Sequence, residues 1–214
     1  MILFTQQWDI IQGKEDDYAK FVSDVHLPGT KELGLTAVGG YYVEVGPGPR
    51  VFVVHSAGDL AQLSDAVATR KFRDLTQDLK SLVRNYRTAI MEPTGRIKHG
   101  EYTIQKGVWK LNQYYDLKSG VKKEYADFII NGYIPVVERL DYVELTGGWN
   151  VVLGGTSEII AEFTFKDPVD IGRLLNNEDF RKAALRLRNE YAINYMSRIL
   201  RCTERFDEPR WFKL

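Results

Sequence analysis

The residue that most clearly suggests chemistry is His55, which ends an apolar run typical of a strand, VFVVHS. An imidazole titrates near neutral pH, so a histidine in this place could act as a general base or as a haem ligand. The other histidines are weaker candidates, since His26 follows a predicted helix and His99 lies between two predicted domains. A lone histidine is more often a hydrogen-bonded structural residue, and that role stays the alternative for His55.

Other patterns argue against several reaction types. No metal motif such as HExxH occurs, and no nucleophile elbow accompanies a serine. The segment GPGPR at 46–50 lacks the pattern of a phosphate-binding loop. Cys202 lies among apolar residues of a predicted strand, which favours an inert thiol. We therefore predict no metal site and no catalytic nucleophile of these kinds.

Two predicted strands, 2–10 and 109–117, alternate between a more apolar face and a more polar face. The apolar face should pack on helices, so the polar face would look into a barrel. A lining of this kind could orient a small ligand. The alternative is that these groups satisfy one another, or bind water, where two sheets meet. The candidate ligand-binding residues on this face are Thr5, Gln7, Asp9, Asn112, Tyr114 and Asp116.

Large aromatic residues occur at matching places in the two halves of the chain. Trp8 corresponds to Tyr115, and we pair Tyr42 with Trp149. Such residues mostly fill cores, but an aromatic-lined cavity would also suit a planar organic ligand or haem. Tyr42 and Trp149 are therefore further candidate ligand contacts.

The elements that position these residues are given by an internal repeat. The stretch QQWDIIQGKEDDYAKF begins at Gln6, and QYYDLKSGVKKEYADF begins at Gln113. The repeat extends through nearly the whole chain of 214 residues, and so long a period indicates a duplicated domain. We predict a first repeat at 1–96, a linker at 97–108, a second repeat at 109–205 and a tail at 206–214.

Each half has the pattern β-α-β-β-α-β, the order of a ferredoxin-like domain with its helices on one sheet face. The bare face needs a cover, and a second sheet of the same kind supplies it. We therefore predict an α+β protein in which two tandem ferredoxin-like domains pack sheet to sheet as an internal barrel.

Composition narrows the possible partners. The chain has 29 basic and 29 acidic residues, so it lacks the excess of positive charge that nucleic-acid binding needs. One cysteine allows no intrachain disulfide, which favours the reducing cytoplasm. No apolar run reaches the ~20 residues of a membrane span, and MILFTQQWDI does not resemble a signal peptide.

The element order, the segments His26-Leu27-Pro28 and Tyr133-Ile134-Pro135, and the stretches GGYYVEVGPGPRVFVVHSAGDLAQL and NYMSRILRCTER resemble the dimeric α+β barrel superfamily. Within it the chain is most similar to NIPSNAP-like and antibiotic-biosynthesis-monooxygenase-like domains. The resemblance implies a ligand site between sheet and helices or inside the barrel. Its members include cofactor-free monooxygenases, haem-degrading enzymes, isomerases and proteins without known activity.

From this we expect a small-molecule-binding protein. One hypothesis is a cofactor-independent oxygenase-like or isomerase-like enzyme acting on a planar hydrophobic substrate. The alternatives are a non-catalytic binding or assembly protein of NIPSNAP-like type and a haem-binding protein. We expect no cofactor, with haem as the alternative, and the expected association is the internal pseudo-dimer, with further homo-oligomers allowed.

Overall fold

The computed structural model describes residues 1–97, 102 and 108–203, and within these ranges the chain forms eight strands and eight α-helices. His99 and the predicted tail lie outside the described residues. The strands are β1 (Ile2–Ile10), β2 (Thr36–Val45), β3 (Val51–Ala57), β4 (Val83–Pro93), β5 (Trp109–Leu117), β6 (Glu144–Gly154), β7 (Ile159–Phe165) and β8 (Ala192–Cys202).

Helices follow the first strand and precede the last strand of each half. They are α1 (Glu15–Phe21), α2 (Leu27–Glu32), α3 (Leu60–Ala68), α4 (Arg70–Lys80), α5 (Lys122–Phe128), α6 (Ile134–Glu138), α7 (Val169–Asn176) and α8 (Glu178–Arg186). The starts of α4 and α8 are equivalent, because the side chains of Thr69 and Asn177 each accept a hydrogen bond from a backbone N–H of the first turn. These caps satisfy donors that a helix start otherwise leaves unpaired.

Pro28 and Pro135, at the starts of α2 and α6, do not end the helical path. A π-helical turn lies before each proline, at Val22–His26 and at Ile129–Tyr133. In each turn the final hydrogen bond reaches a carbonyl five residues back. Proline lacks the N–H that a regular helix needs, and the wider turn carries the chain past it. The last residue of each turn, His26 or Tyr133, is buried.

The eight strands close into one antiparallel barrel in the order β1-β3-β2-β8-β5-β7-β6-β4. Each half contributes four neighbouring strands. The halves join where β2 pairs with β8 and where β4 pairs with β6. The predicted α+β architecture is confirmed, and the two sheets meet through hydrogen-bonded edges that complete a barrel.

Buried side chains fall into an interior layer and two outer layers under the helices. The interior cluster combines aliphatic and aromatic side chains, with Leu3, Tyr41, Phe52, Tyr114, Trp149 and Leu200 among its members. In the outer layer of the first half, Trp8 packs with Tyr18, and in the second half Tyr115 packs with Tyr125. None of the helices in the described ranges is long and apolar enough to cross a membrane.

Candidate functional site

The two predicted aspartates hold turns at one end of the barrel, which we call the turn end. Asp9 accepts hydrogen bonds from a backbone N–H of the β2–β3 turn at 2.7 Å and from Asn85 Nδ2 at 2.8 Å. Asp116 repeats this with a backbone N–H of the β6–β7 turn and with Asn194 Nδ2, both at 2.8 Å. The oxygens of both carboxylates therefore already accept hydrogen bonds at the turn end.

Four other predicted residues lie on the interior face of the barrel: Thr5, Gln7, Asn112 and Tyr114. Gln7 Oε1 accepts a hydrogen bond from Arg198 Nη1 at 3.0 Å, and the Arg198 guanidinium lies 5.0 Å from the centroid of the Tyr114 ring. Asn112 Nδ2 donates to Tyr114 OH at 3.4 Å, while its Oδ1 is buried without a hydrogen-bond partner. These interior groups satisfy one another only in part.

Tyr42 and Trp149 lie on opposite sides of the barrel wall. Trp149 belongs to the interior cluster, whereas Tyr42 packs in the outer layer with Trp8. Strand register makes Tyr41 the counterpart of Trp149, since each directly follows a pair of glycines after an equivalent irregularity in its strand. A shift of one residue along a strand reverses the face. The pairing of Tyr42 with Trp149 across the repeat is corrected accordingly.

His55 faces the helices of the first half, where it meets a second histidine. Its Nε2 lies 3.4 Å from Thr30 Oγ1, and its ring centroid lies 6.4 Å from that of His26. His26 Nε2 lies 3.4 Å from Gln6 Oε1, and Gln6 Nε2 donates to Tyr86 OH at 2.7 Å. The Nδ1 atoms of both histidines are buried without a hydrogen-bond partner. Gln6 thus links the strand to side chains of the helical layer and of β4.

Burial keeps this histidine pair neutral. Loss of hydration lowers the pKa of His26 to about 4, and burial together with the neighbouring His26 lowers the pKa of His55 to about 3. In the second half the equivalent positions hold Tyr133, which donates to Gln113 Oε1 at 2.9 Å, and Phe163. A base with so low a pKa, enclosed on all sides, is poorly suited to proton abstraction at neutral pH.

An ion pair that the sequence did not predict lies inside the barrel at the end opposite the turns. Lys110 Nζ lies 2.6 Å from Glu162 Oε1. The same carboxylate accepts hydrogen bonds from Tyr102 OH, at 3.1 and 3.0 Å, and from Thr146 Oγ1 at 3.0 Å. Strand alternation does turn Lys110 inward, but nothing in the sequence points to a partner 52 residues away.

The charges of this cluster are held in place by one another. Burial alone would lower the pKa of Lys110, but the Glu162 carboxylate outweighs that effect and raises it. Burial, and then the same carboxylate, raise the pKa of Tyr102 well above its usual value. The Glu162 oxygens are already satisfied by Lys110, Tyr102 and Thr146, so we interpret the cluster as structural.

A small cavity lies between the sheet and the helices of the second half. We call it the tyrosine pocket, because Tyr115, Tyr125 and Tyr133 line it together with isoleucines of β7, α6 and the π turn. The segment 94–97, which follows β4, covers it, and the cavity measures about 30 Å³. Gly148 makes room for this cover, since a Cβ there would lie 2.8 Å from Ile97 Cδ1.

The tyrosine pocket combines aromatic walls with hydrogen-bond donors. Tyr115 OH and Tyr125 OH lie 2.8 Å apart, a contact that uses one of their two hydroxyl hydrogens. Burial raises the pKa of both hydroxyls and that of Tyr133, so all three stay protonated. The Arg96 guanidinium lies 5.2 Å from the centroid of the Tyr125 ring. Such a lining can bind an uncharged aromatic body and stabilise an electron-rich oxygen on it.

The first half has a larger residue in the equivalent place. Trp8 stands where the second half has Tyr115, and its Nε1 donates to Tyr18 OH at 3.2 Å. The indole fills space that the smaller phenol leaves open. None of the candidate ligand-binding residues lines the tyrosine pocket, because most of them face the interior of the barrel or its turns.

Comparison with known proteins identifies the fold. Neither a family model nor a curated protein matches the chain. Among solved structures, a putative monooxygenase from Fusobacterium nucleatum superposes with a TM-score of 0.65 at 15% identity, covering 94% of this chain and 91% of that one. An anthrone oxidase-like protein gives 0.62 at 11% identity, covering 94% and 90%. A haem-binding protein from Thermus thermophilus gives 0.57 at 11% identity, covering 100% and 95%.

By fold, the chain is an α+β barrel like these proteins. The resemblance predicted from sequence is confirmed at this level. The identities are too low to transfer an activity to this α+β barrel. Structures that share its fold nevertheless include proteins named for oxygenation and for haem binding, so both hypotheses can be tested against its own residues.

The described residues of this α+β barrel do not fit a haem ligand set. His26 and His55 are both fully buried in the first half, and their Nε2 atoms contact Gln6 and Thr30. In the second half the tyrosine pocket measures only about 30 Å³ and has no histidine in its lining. We therefore assign no chemistry to haem in this protein.

Proposed function

We propose that this protein binds a small, planar, mainly apolar molecule between the sheet and the helices of its second half. The observation that supports this best is the tyrosine pocket, where aromatic walls and protonated hydroxyls line one enclosed space. The cavity is smaller than a bicyclic ligand, so binding must displace the side chains of Arg96 and Ile97 from above it. Both are only partly buried, and both belong to the covering segment.

The lining favours a ligand that carries a hydroxyl or keto oxygen. One hydroxyl hydrogen of the Tyr115–Tyr125 pair is not used between them and can be donated to such an oxygen. Arg96 adds positive charge beside Tyr125. A donor and a nearby cation bind an oxygen more strongly as it gains negative charge.

Binding can be tested with 2-naphthol, using naphthalene as the ligand that lacks the oxygen. We expect the double variant Tyr115→Phe/Tyr125→Phe to weaken 2-naphthol binding about 3–10-fold, the worth of one hydrogen bond, and to leave naphthalene unaffected. The matched control is Tyr18→Phe, the change in the first half that is equivalent to Tyr125→Phe, which should leave both affinities unchanged. Fluorescence titration measures them. Equal losses in the two variants, or no binding by the wild type, would exclude the tyrosine pocket as the site.

A second candidate is a cofactor-independent oxygenase-like or isomerase-like enzyme at the same pocket. The donors and Arg96 would stabilise the anion of an enolisable substrate, and one similar structure is named anthrone oxidase-like. Within the described chain the pocket lining has no carboxylate or imidazole to act as a base. The substrate must therefore be acidic enough to ionise without one, as an activated methylene compound is.

Anthrone is a suitable probe, because one O₂ converts its methylene group to a ketone and releases one H₂O. Oxygen uptake and anthraquinone absorbance should rise together with enzyme concentration, and Tyr115→Phe should slow both. Binding of anthrone without oxygen uptake would favour the non-catalytic alternative and leave the proposed binding site intact.

We also infer the chain organisation and compartment. Repeats at 1–96 and 109–205, a linker at 97–108 and a tail at 206–214 account for the duplicated sequence. One cysteine suits the cytoplasm. The two fused halves supply the pairing that separate subunits would otherwise make, and native mass spectrometry would detect any further homo-oligomer.

A further inference from the structure

Arg198 is a buried cation without a carboxylate partner in the part of the chain that the structure describes. It lies on β8 near the turn end of the barrel and is only 4% exposed. Nη1 donates to Gln7 Oε1 at 3.0 Å, and Nη2 donates to the Gly48 carbonyl at 3.1 Å. Nε is buried and has no hydrogen-bond partner within the described residues. Both of its acceptors are neutral, so the guanidinium charge is not compensated by them.

The charges inside the barrel do not balance. Lys110 is neutralised by Glu162, with which it forms an ion pair of 2.6 Å. Arg198 is the second buried cation of the interior, and Glu162 is already engaged by Lys110, Tyr102 and Thr146. Burying a charge without a counter-charge is strongly unfavourable. A bound anion beside Arg198 would supply the missing negative charge.

Arg198 lines a small pocket that could hold such an anion. The cavity at the turn end measures about 30 Å³, enough for a small ion or for the head group of a larger molecule. Its lining includes side chains that can donate hydrogen bonds: Thr5, Gln7, Thr88, Tyr114, Thr156 and Ser157. Among the described residues, no aspartate or glutamate lines it.

The surroundings of this pocket are also basic. Arg87 lies at its rim and also lines an adjacent surface groove of about 480 Å³. Arg50 and Arg84 line the same groove, where Asp9 is the one carboxylate that the structure describes, and its oxygens are engaged by hydrogen bonds. Clustered positive charge of this kind attracts anions and raises their local concentration.

We propose that the turn end of the barrel binds an anionic oxygen group, a carboxylate or a phosphate, against Arg198. The guanidinium is the side chain best suited to such groups, because its N–H donors match their oxygens in a plane. The anion supplies the missing counter-charge, and the hydroxyl groups of the lining complete its coordination. The group belongs either to a free inorganic ion or to an organic acid whose body occupies the groove beside Arg87.

Residues of both halves line this anion pocket, but its buried arginine has an equivalent of another type in the first half. Strand pairing places Ala89 opposite Thr5 in the first half and Arg198 opposite Asn112 in the second, so Ala89 is the counterpart of Arg198. Each chain therefore has one site. It is separate from the tyrosine pocket, which lies under the helices, and either proposal can fail without the other.

The test is thermal unfolding with sodium phosphate, formate or benzoate, compared with sodium chloride at equal ionic strength. A bound anion should raise Tm progressively with the logarithm of its concentration, by about 3–6 °C at ten times its Kd. Arg198→Gln should abolish the rise. The matched control is Arg201→Gln on the same strand, whose partner is Glu44 on the outer face and which should keep the full response. Equal responses in wild type and Arg198→Gln would overturn the proposal.

A second measurement does not depend on a variant that folds. The Nε–H signal of Arg198 in a ¹H–¹⁵N spectrum of the wild type should move saturably as the anion is added. A signal that does not move with any of the three anions contradicts the proposal. Saturation by phosphate or formate identifies a free small anion, whereas saturation by benzoate alone identifies an organic acid that uses the groove.

Discussion

Lys110 Nζ lies 2.6 Å from Glu162 Oε1 inside the barrel, and the residues at the equivalent places of the first half are Leu3 and Val54. The lysine side chain is 1% exposed and the glutamate 6%. Equivalent positions of the barrel wall thus hold an ion pair in the second half and two aliphatic side chains in the first. Each charge depends on the other, because water cannot reach either of them.

Removing one partner of this pair should be far more damaging than removing both. Glu162→Val leaves a buried ammonium group without its counter-charge, and we expect a loss of about 3–5 kcal/mol in the free energy of unfolding. The double variant Lys110→Leu/Glu162→Val should recover most of this loss. Urea denaturation of the single and double variants measures both effects. A double variant as unstable as Glu162→Val would show that the unpaired charge is not the cause.

The buried histidines should make folding sensitive to acid. Their pKa values are about 4 and about 3 in the folded protein, against about 6.5 when unfolded, so the unfolded chain takes up protons first. Stability is complete above pH ~6.5 and falls toward pH 4 by about 1.4 kcal/mol per pH unit for each histidine. Urea denaturation between pH 4.5 and 8 measures the slope.

His55→Phe introduces the residue found at the equivalent place of the second half and should remove one proton from this dependence. We expect the slope between pH 4.5 and 6 to fall by about half relative to the wild type. An unchanged slope would mean that His55 is not buried in its neutral form.

The left-handed asparagines beside the aspartates should be sensitive to replacement. Asn194 has a φ of 52° and donates to Asp116. Asn194→Ala loses this hydrogen bond and strains the backbone, so we expect a loss of about 1–3 kcal/mol in stability. Asn194→Gly removes the hydrogen bond without the strain and should lose about 1 kcal/mol less. Thermal unfolding compares them, and equal losses would show that the backbone is not strained.

Haemin provides a direct test of the haem reading. Because His26 and His55 are enclosed and contact Gln6 and Thr30, we expect no Soret shift that depends on either of them. Spectra of wild type and His55→Phe mixed with haemin should superpose. A shift in the wild type that His55→Phe abolishes would show that His55 can reach an iron.

The element order and the barrel were predictable because they follow from local periodicity and from the repeat. Alternation along β1 and β5 placed Thr5, Gln7, Asn112 and Tyr114 on the interior face, where the structure has them. The pairing of Tyr42 with Trp149 is wrong because the offset between equivalent residues of the two halves changes by one residue before β2. A change of one residue reverses the face of a strand, and only the register reveals it.

The site residues were harder to predict because they meet through tertiary structure. Lys110 and Glu162 are on neighbouring strands, while Tyr102 comes from the predicted linker. His26 reaches His55 only because a π turn rotates it toward the sheet. The tyrosine pocket of the second half is covered by the segment 94–97, which follows the last strand of the first half. None of these contacts leaves a periodic signal in the sequence.

Both strand pairs that join the halves of the barrel lie within one chain, so the two halves need not have the same sequence. In a dimer of identical chains every substitution appears twice, so an unpaired arginine or a lysine–glutamate pair would have to be accommodated in duplicate around the axis. Here β2 meets β8 and β4 meets β6 in a single polypeptide. The residue equivalent to Arg198 in the first half is an alanine, and the residue equivalent to Lys110 is a leucine, because each half can vary independently.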